Sequence, residues 1–251
     1  MNGIGYKIKK TILYILLILL SVVCMFPFLL IIVNATRSGS EIMKSFTLIP
    51  SVYLKENWAT VFKYFNLFLG MWNSLKVAVP STLLCAYFSA MTAYALAMYK
   101  FKGNKVLFMT ILIFMMIPGQ LGLIGFYNLC TKLHLVNSYI PLIIPAIASP
   151  GTVFFLRQYV LSVMPPSLIE AARIDGSGEF HTFNNIVLPL MKPAIAVQAI
   201  FTFVSSWNNY FVPALILHND KKKTLPILIA QLRAADWLKF DMGQVYVMIA
   251  F

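Results

Sequence analysis

The sequence predicts an all-α protein, a polytopic bundle of about six transmembrane helices, and three observations predict it. Of 251 residues, 60% are hydrophobic and only 11% charged, where a soluble domain carries about 25% charged residues. Mean hydropathy is +0.80. The apolar residues gather in several long runs, each near the length of about 20 residues that a helix needs to cross a hydrocarbon layer about 30 Å thick.

The first run, 11–33, follows Lys7, Lys9 and Lys10 as the core of a signal peptide would. It exceeds the roughly 7–15 residues of such a core and lacks a small-x-small cleavage site, so it is kept as a first span. Further spans fall at 71–98, 106–129, 139–160 and 193–217. A sixth begins near Gly243 and stops at Phe251, too short a stretch to cross a bilayer at about 1.5 Å per residue; the expectation is a truncated last span. The chain reads as one membrane domain, 1–251, with a polar loop at about 161–192. Pro27, Pro80, Pro118-Gly119, Pro145, Pro150 and Pro213 interrupt the runs, which is tolerated where neighbouring helices or a wet cavity satisfy freed backbone groups. Ala86, Ala90, Ala93 and Ala97 recur at helical spacing and suit close helix packing.

Formal net charge is +12. The cations sit in loops between apolar runs, which suits attraction to anionic headgroups of membrane lipid and gives no basic soluble domain for nucleic acid. Charge totals on the two sides are nearly equal. The short segments holding Lys7, Lys9, Lys10 and Lys100, Lys102, Lys105 favour a cytoplasmic N-terminus, because the rule weights short loops near span ends. Cys24, Cys85 and Cys130 are far apart, as are His134, His181 and His218, so neither a disulfide frame nor a metal site is expected.

The most informative stretch is Pro165-Pro166-Ser167-Leu168-Ile169-Glu170-Ala171-Ala172-Arg173-Ile174-Asp175-Gly176-Ser177. Ser167 with Glu170 three positions on predicts a capping box, and Gly176 predicts a left-handed C-terminal stop. The helix between them, about eight residues, is too short to persist alone in water. Its own membrane domain or a partner must hold it.

Glu170-Ala171-Ala172, three residues, Gly176, nine residues, Ile186, one residue and Leu188-Pro189 resemble the EAA loop of bacterial ABC importer permeases. Ala93-Tyr94-Ala95-Leu96, Phe101-Lys102-Gly103, Met116-Ile117-Pro118-Gly119-Gln120, Lys192-Pro193-Ala194 and Trp207-Asn208-Asn209 extend the likeness to the smaller permease of maltose-type sugar importers, from about Thr11 to the end. The resemblance implies a subunit of the bacterial cytoplasmic membrane whose loop forms a coupling helix against a cytoplasmic ATPase. Glu170 would make the charged contact, Ala171 and Ala172 would permit close seating, Asp175 would belong to the same set, and Gly176 would turn the chain. Implied partners are a second homologous permease, two ATPase subunits and an external sugar-binding protein. No cofactor is expected on this chain; ATP and Mg would sit on the ATPases.

Two further sites are candidates. Trp207, Asn208, Asn209 and Tyr210 offer an aromatic face and amides for a sugar, set inside the fifth span about 21 Å beyond Pro193. Met115, Met116 and Pro118 mark a break in the third span that could serve as an outer gate. An ion-coupled secondary transporter is the alternative function, but such proteins hold ionisable groups within the membrane. Here Glu41, Glu56, Glu170, Asp175, Glu179, Asp220, Asp236 and Asp241 all avoid span interiors, and only Lys76 lies inside a span. No GxxxxGK[ST] phosphate loop and no catalytic constellation occur, so neither an intrinsic ATPase nor a membrane enzyme is expected.

Overall fold

The computed structural model describes residues 4–234 and 241–251, which leaves Asp236 outside the described residues. In chain order the helices are α1 (Ile4–Ala35), α2 (Gly39–Lys44), α3 (Leu54–Tyr64), α4 (Leu67–Met98), α5 (Asn104–Met116), α6 (Leu123–Lys132) and α7 (Ile140–Ile143). They continue with α8 (Pro150–Val163), α9 (Pro166–Ile174), α10 (Glu179–Thr182), α11 (Leu188–Trp207), α12 (Phe211–Ile216), α13 (Leu225–Ala234) and α14 (Met242–Ala250). No strand occurs among the described residues. The chain forms two compact units, one of Met1–Leu67 with Leu228–Phe251 and one of Phe68–Ile227.

In the first unit, α1 is apolar on every side beyond Lys10, and no side chain from Tyr6 to Leu29 is buried. A helix hydrophobic all round and uncovered by its own chain has lipid as its solvent. Only its last turn is buried, at Val33, Asn34 and Ala35. There Asn57 of α3 donates through Nδ2 to the carbonyls of Ala35 at 3.1 Å and Arg37 at 2.9 Å, satisfying acceptors that a helix end leaves open. Asp241 caps α14 in a box with Gln244 and also accepts the Gly39 amide at 2.8 Å. A Cβ on Gly243 would stand 2.1 Å from the Arg37 carbonyl oxygen, so only glycine permits this approach.

In the second unit, α4 supplies the predicted small-residue face: Ala90 and Ala93 are fully buried. They pack with Tyr94, Leu156, Val160, Phe183, Val187, Met191 and Ala194 in one core. The first, second and fourth expected spans correspond to α1, α4 and the helical stretch Ile140–Val163. The third and fifth differ from expectation.

Instead of one rod over 106–129, α5 ends at Met116 and the following helical segment leaves at 89°. Pro118 forces Ile117 into an extended conformation (φ −80°, ψ 121°), so the break is a sharp corner. Beyond it, Cys130 of α6 packs with Ile216, Leu217 and Ile227. The fifth span runs Glu179–Trp207, shifted from the expected 193–217. Asn184, Asn185 and Pro189 read locally as loop, yet Phe183 and Val187 are buried in the core, and a π turn at Phe183–Val187 carries the helix through. Its far end comes at Trp207, where Asn208 and Asn209 separate it from α12.

Candidate functional site

The loop joining α8 to α10 begins with two prolines that set its geometry. Pro165 is the N-cap of α9 and Pro166 its first residue, a position where a missing amide hydrogen costs nothing. Ser167 therefore falls inside the first turn, and no side chain caps the helix. The capping box expected from Ser167 and Glu170 does not form, and Glu170 is left exposed. At the other end Gly176 has φ +77°. Its amide donates to Arg173 O at 3.0 Å and the Ser177 amide to Ala172 O at 2.9 Å, the paired bonds of a Schellman stop.

What holds this nine-residue helix is its own chain. Ile169 and Ala172 are 3% and 5% exposed, and Ile169 belongs to the core built on Ala90, Leu156 and Phe183. The helix thus has a buried inner face and an outer face. Glu170, Ala171, Arg173, Ile174, Asp175 and Gly176 all lie exposed, with Ile174 at 86%. The two alanines differ: Ala171 faces outward and Ala172 inward.

A polar clasp ties the loop to the end of α4. Arg173 Nε donates to Glu179 Oε1 at 2.7 Å, and the Tyr99 hydroxyl donates to Glu179 Oε2. The Arg173 guanidinium lies 5.2 Å from the Tyr99 ring centroid. Burial, and then the bond to Glu179, hold the Tyr99 phenol protonated well above its ordinary range. Nothing in residue spacing pairs Tyr99 with Glu179, so sequence reasoning missed it.

Of the second candidate, Trp207 to Tyr210, Trp207 is the last residue of the fifth span and Asn208 to Tyr210 follow it, where the expectation set all four inside a span. Trp207 stacks on Phe203 at 5.7 Å and Tyr210 tilts on Phe211 at 5.6 Å, and Asn208 is exposed. Only Asn209 lines the adjoining cavity of about 360 Å³. Its other polar lining includes Ser81, Ser149, Thr152, Gln198, Thr202 and Ser205. Ser149 Oγ donates to Thr152 Oγ1 at 2.9 Å. The signal for these residues was present: Gln198, Thr202, Ser205 and Asn209 follow at steps of four, three and four, one face of a helix.

At the α5 corner, Met115 and Met116 are exposed, Met116 by 82%, and Pro118 is exposed beside them. The corner lies about 20 Å along α5 from Asn104, the end nearest the Tyr99 clasp.

A family described as binding-protein-dependent transport system inner membrane component matches residues 82–251. The chain is 34% identical over 254 residues to the arabinooligosaccharides transport system permease protein AraQ of Bacillus subtilis (strain 168), covering 97% of this chain and 88% of that protein. It is 32% identical over 249 residues to the probable starch degradation products transport system permease protein AmyC of Thermoanaerobacterium thermosulfurigenes, covering 97% and 89%. In fold it is similar, with a TM-score of 0.79 at 20% identity, to a chain of a bacterial ABC transporter involved in the import of the acidic polysaccharide alginate, covering 100% of this chain and 93% of that one.

Proposed function

The chain belongs to the binding-protein-dependent transport system inner membrane component family, and on that premise we propose that it forms half of the pore of an ABC importer for sugars or oligosaccharides. It is a permease subunit of the sugar-importing type. The whole of 1–251 works as one permease domain in the cytoplasmic membrane with its N-terminus inside, and 161–192 serves as its coupling loop. A second homologous permease completes the pore. Two ATPase subunits bind ATP with Mg, and an external binding protein delivers the sugar. The chain itself performs no hydrolysis.

The observation that carries the reading is the two-sided α9. Ile169 joins it to the core and Ala172 is buried on the same inner face, so a push on its exposed face moves the packed helices behind it. Glu170 supplies the charged contact to the ATPase, Ala171 the close approach, and Asp175 with Gly176 the turn that ends the lever. The polar cavity at Gln198, Thr202 and Asn209 carries sugar hydroxyls through the bilayer, with Trp207, Asn208 and Tyr210 at its mouth. Met115, Met116 and Pro118 close the outer side at the α5 corner.

The test is a cysteine at Ala171 in the complex reconstituted with its ATPases. Crosslinking to an ATPase subunit that changes with ATP, together with uptake of labelled oligosaccharide, is expected. Crosslinking only from the outer side of sealed vesicles overturns the assignment.

A further inference from the structure

We propose that the turn between α4 and α5, together with Arg157 of α8, is a binding site for the phosphate headgroup of an anionic phospholipid. A cavity of about 620 Å³ at this turn is lined by Lys100, Lys102, Lys105 and Arg157 and by no carboxylate. Among the described residues none of these four cations is in an ion pair. Such a concentration of uncompensated charge favours an anionic occupant.

The cavity is built, not merely decorated. Asn104 Nδ2 donates to the carbonyls of Leu96 at 3.2 Å and Tyr99 at 2.9 Å, fixing the turn against the end of α4. Gly103 enters α5 with φ +94°. Arg157 is held from two sides: its Nε donates to Leu96 O at 3.3 Å, and its guanidinium lies 3.9 Å from the Phe108 ring centroid. A planar, pre-positioned guanidinium suits phosphate oxygens.

Two observations select a lipid over a soluble anion. The basic cavity shares Tyr99, Lys100 and Phe101 with an apolar one of about 490 Å³, so cationic and hydrocarbon-compatible surfaces adjoin. Glu179 lines that second cavity, but Arg173 and Tyr99 engage it. Moreover, α5 rises from the site with no buried residue, and Val106, Met109, Ile113 and Phe114 are each more than half exposed. A helix with that surface faces acyl chains, which sets the cations at its foot at headgroup height.

The test assembles the full chain with its partner permease and ATPases in phosphatidylcholine nanodiscs containing a trace of photoactivatable phosphatidylglycerol or phosphatidylcholine. Phosphatidylglycerol is expected to label residues around 94–108 well above phosphatidylcholine. Labelling should fall about fivefold for each contributing cation removed in K100Q/K102Q/K105Q, whose side chains are exposed and whose loss leaves Arg157 packing intact. Lys132→Gln, at the far end of α6, should leave it unchanged. Equal labelling by the two lipids, undiminished labelling in the triple variant, or an equal fall in K132Q overturns the proposal. Displacement of the label by millimolar inorganic phosphate assigns the site to a soluble anion and also overturns it. None of these outcomes depends on which cargo the importer carries.

Discussion

Gly176 offers the sharpest probe of how α9 acts. Its φ of +77° costs an L-residue about 1–2 kcal/mol, while a Cβ built there meets nothing within 4 Å. The penalty for alanine is therefore torsional and not steric. About 1 kcal/mol lowers the population of the native turn roughly fivefold. Asparagine, which tolerates the left-handed region, should lose less, and β-branched valine more. Proline is different in kind: its ring holds φ near −65°, roughly 140° away, and it has no amide hydrogen, so the bond from residue 176 to Arg173 O at 3.0 Å is lost as well. The assay is uptake by the reconstituted importer alongside ATP hydrolysis stimulated by the binding protein, with membrane content of the subunit measured in parallel. Uptake should rank Gly > Asn > Ala > Val > Pro, with the proline variant inserted but inactive. Full uptake by Gly176→Pro, or an alanine variant as inactive as the proline one, refutes the reasoning.

Three other outcomes follow from the same geometry. Glu179→Gln weakens the clasp from Tyr99 to Arg173, and trypsin should cut the 173–178 segment faster in the folded complex; an unchanged digestion rate counts against the clasp. Gly243→Ala places a methyl 2.1 Å from the Arg37 carbonyl oxygen, a rigid obstacle, and should cost about 1–3 kcal/mol, read as a lower thermal midpoint in detergent; an unaltered midpoint contradicts the close packing. Gln198→Leu combined with Thr202→Val strips polar groups from the α11 face of the cavity, so KM for uptake should rise while membrane insertion is retained. Parental uptake kinetics would remove that cavity from the substrate path.

Much of this protein could be read from its residues because a bilayer demands long apolar segments. The all-α class, the extents of α1 and α4, and the short helix stopped by Gly176 follow from run length and from local backbone preference. Local signals failed where packing outweighed them. Ser167 and Glu170 spell a capping box, but the prolines before them move the cap to Pro165. Asn184, Asn185 and Pro189 look like a loop, but burial of Phe183 and Val187 draws them into one helical run. Pro118 announced a break without its angle, which depends on what α6 packs against beyond the corner.

Composition and spacing alone determined that the chain lives in lipid and carries the EAA loop, since both are properties of neighbouring residues along the backbone. Tertiary structure alone decided which face of α9 is buried, that Tyr99 meets Glu179 across 80 positions, and that polar side chains of α4, α8 and α11 converge on one cavity. These are contacts between segments distant in sequence, where no local periodicity carries the information.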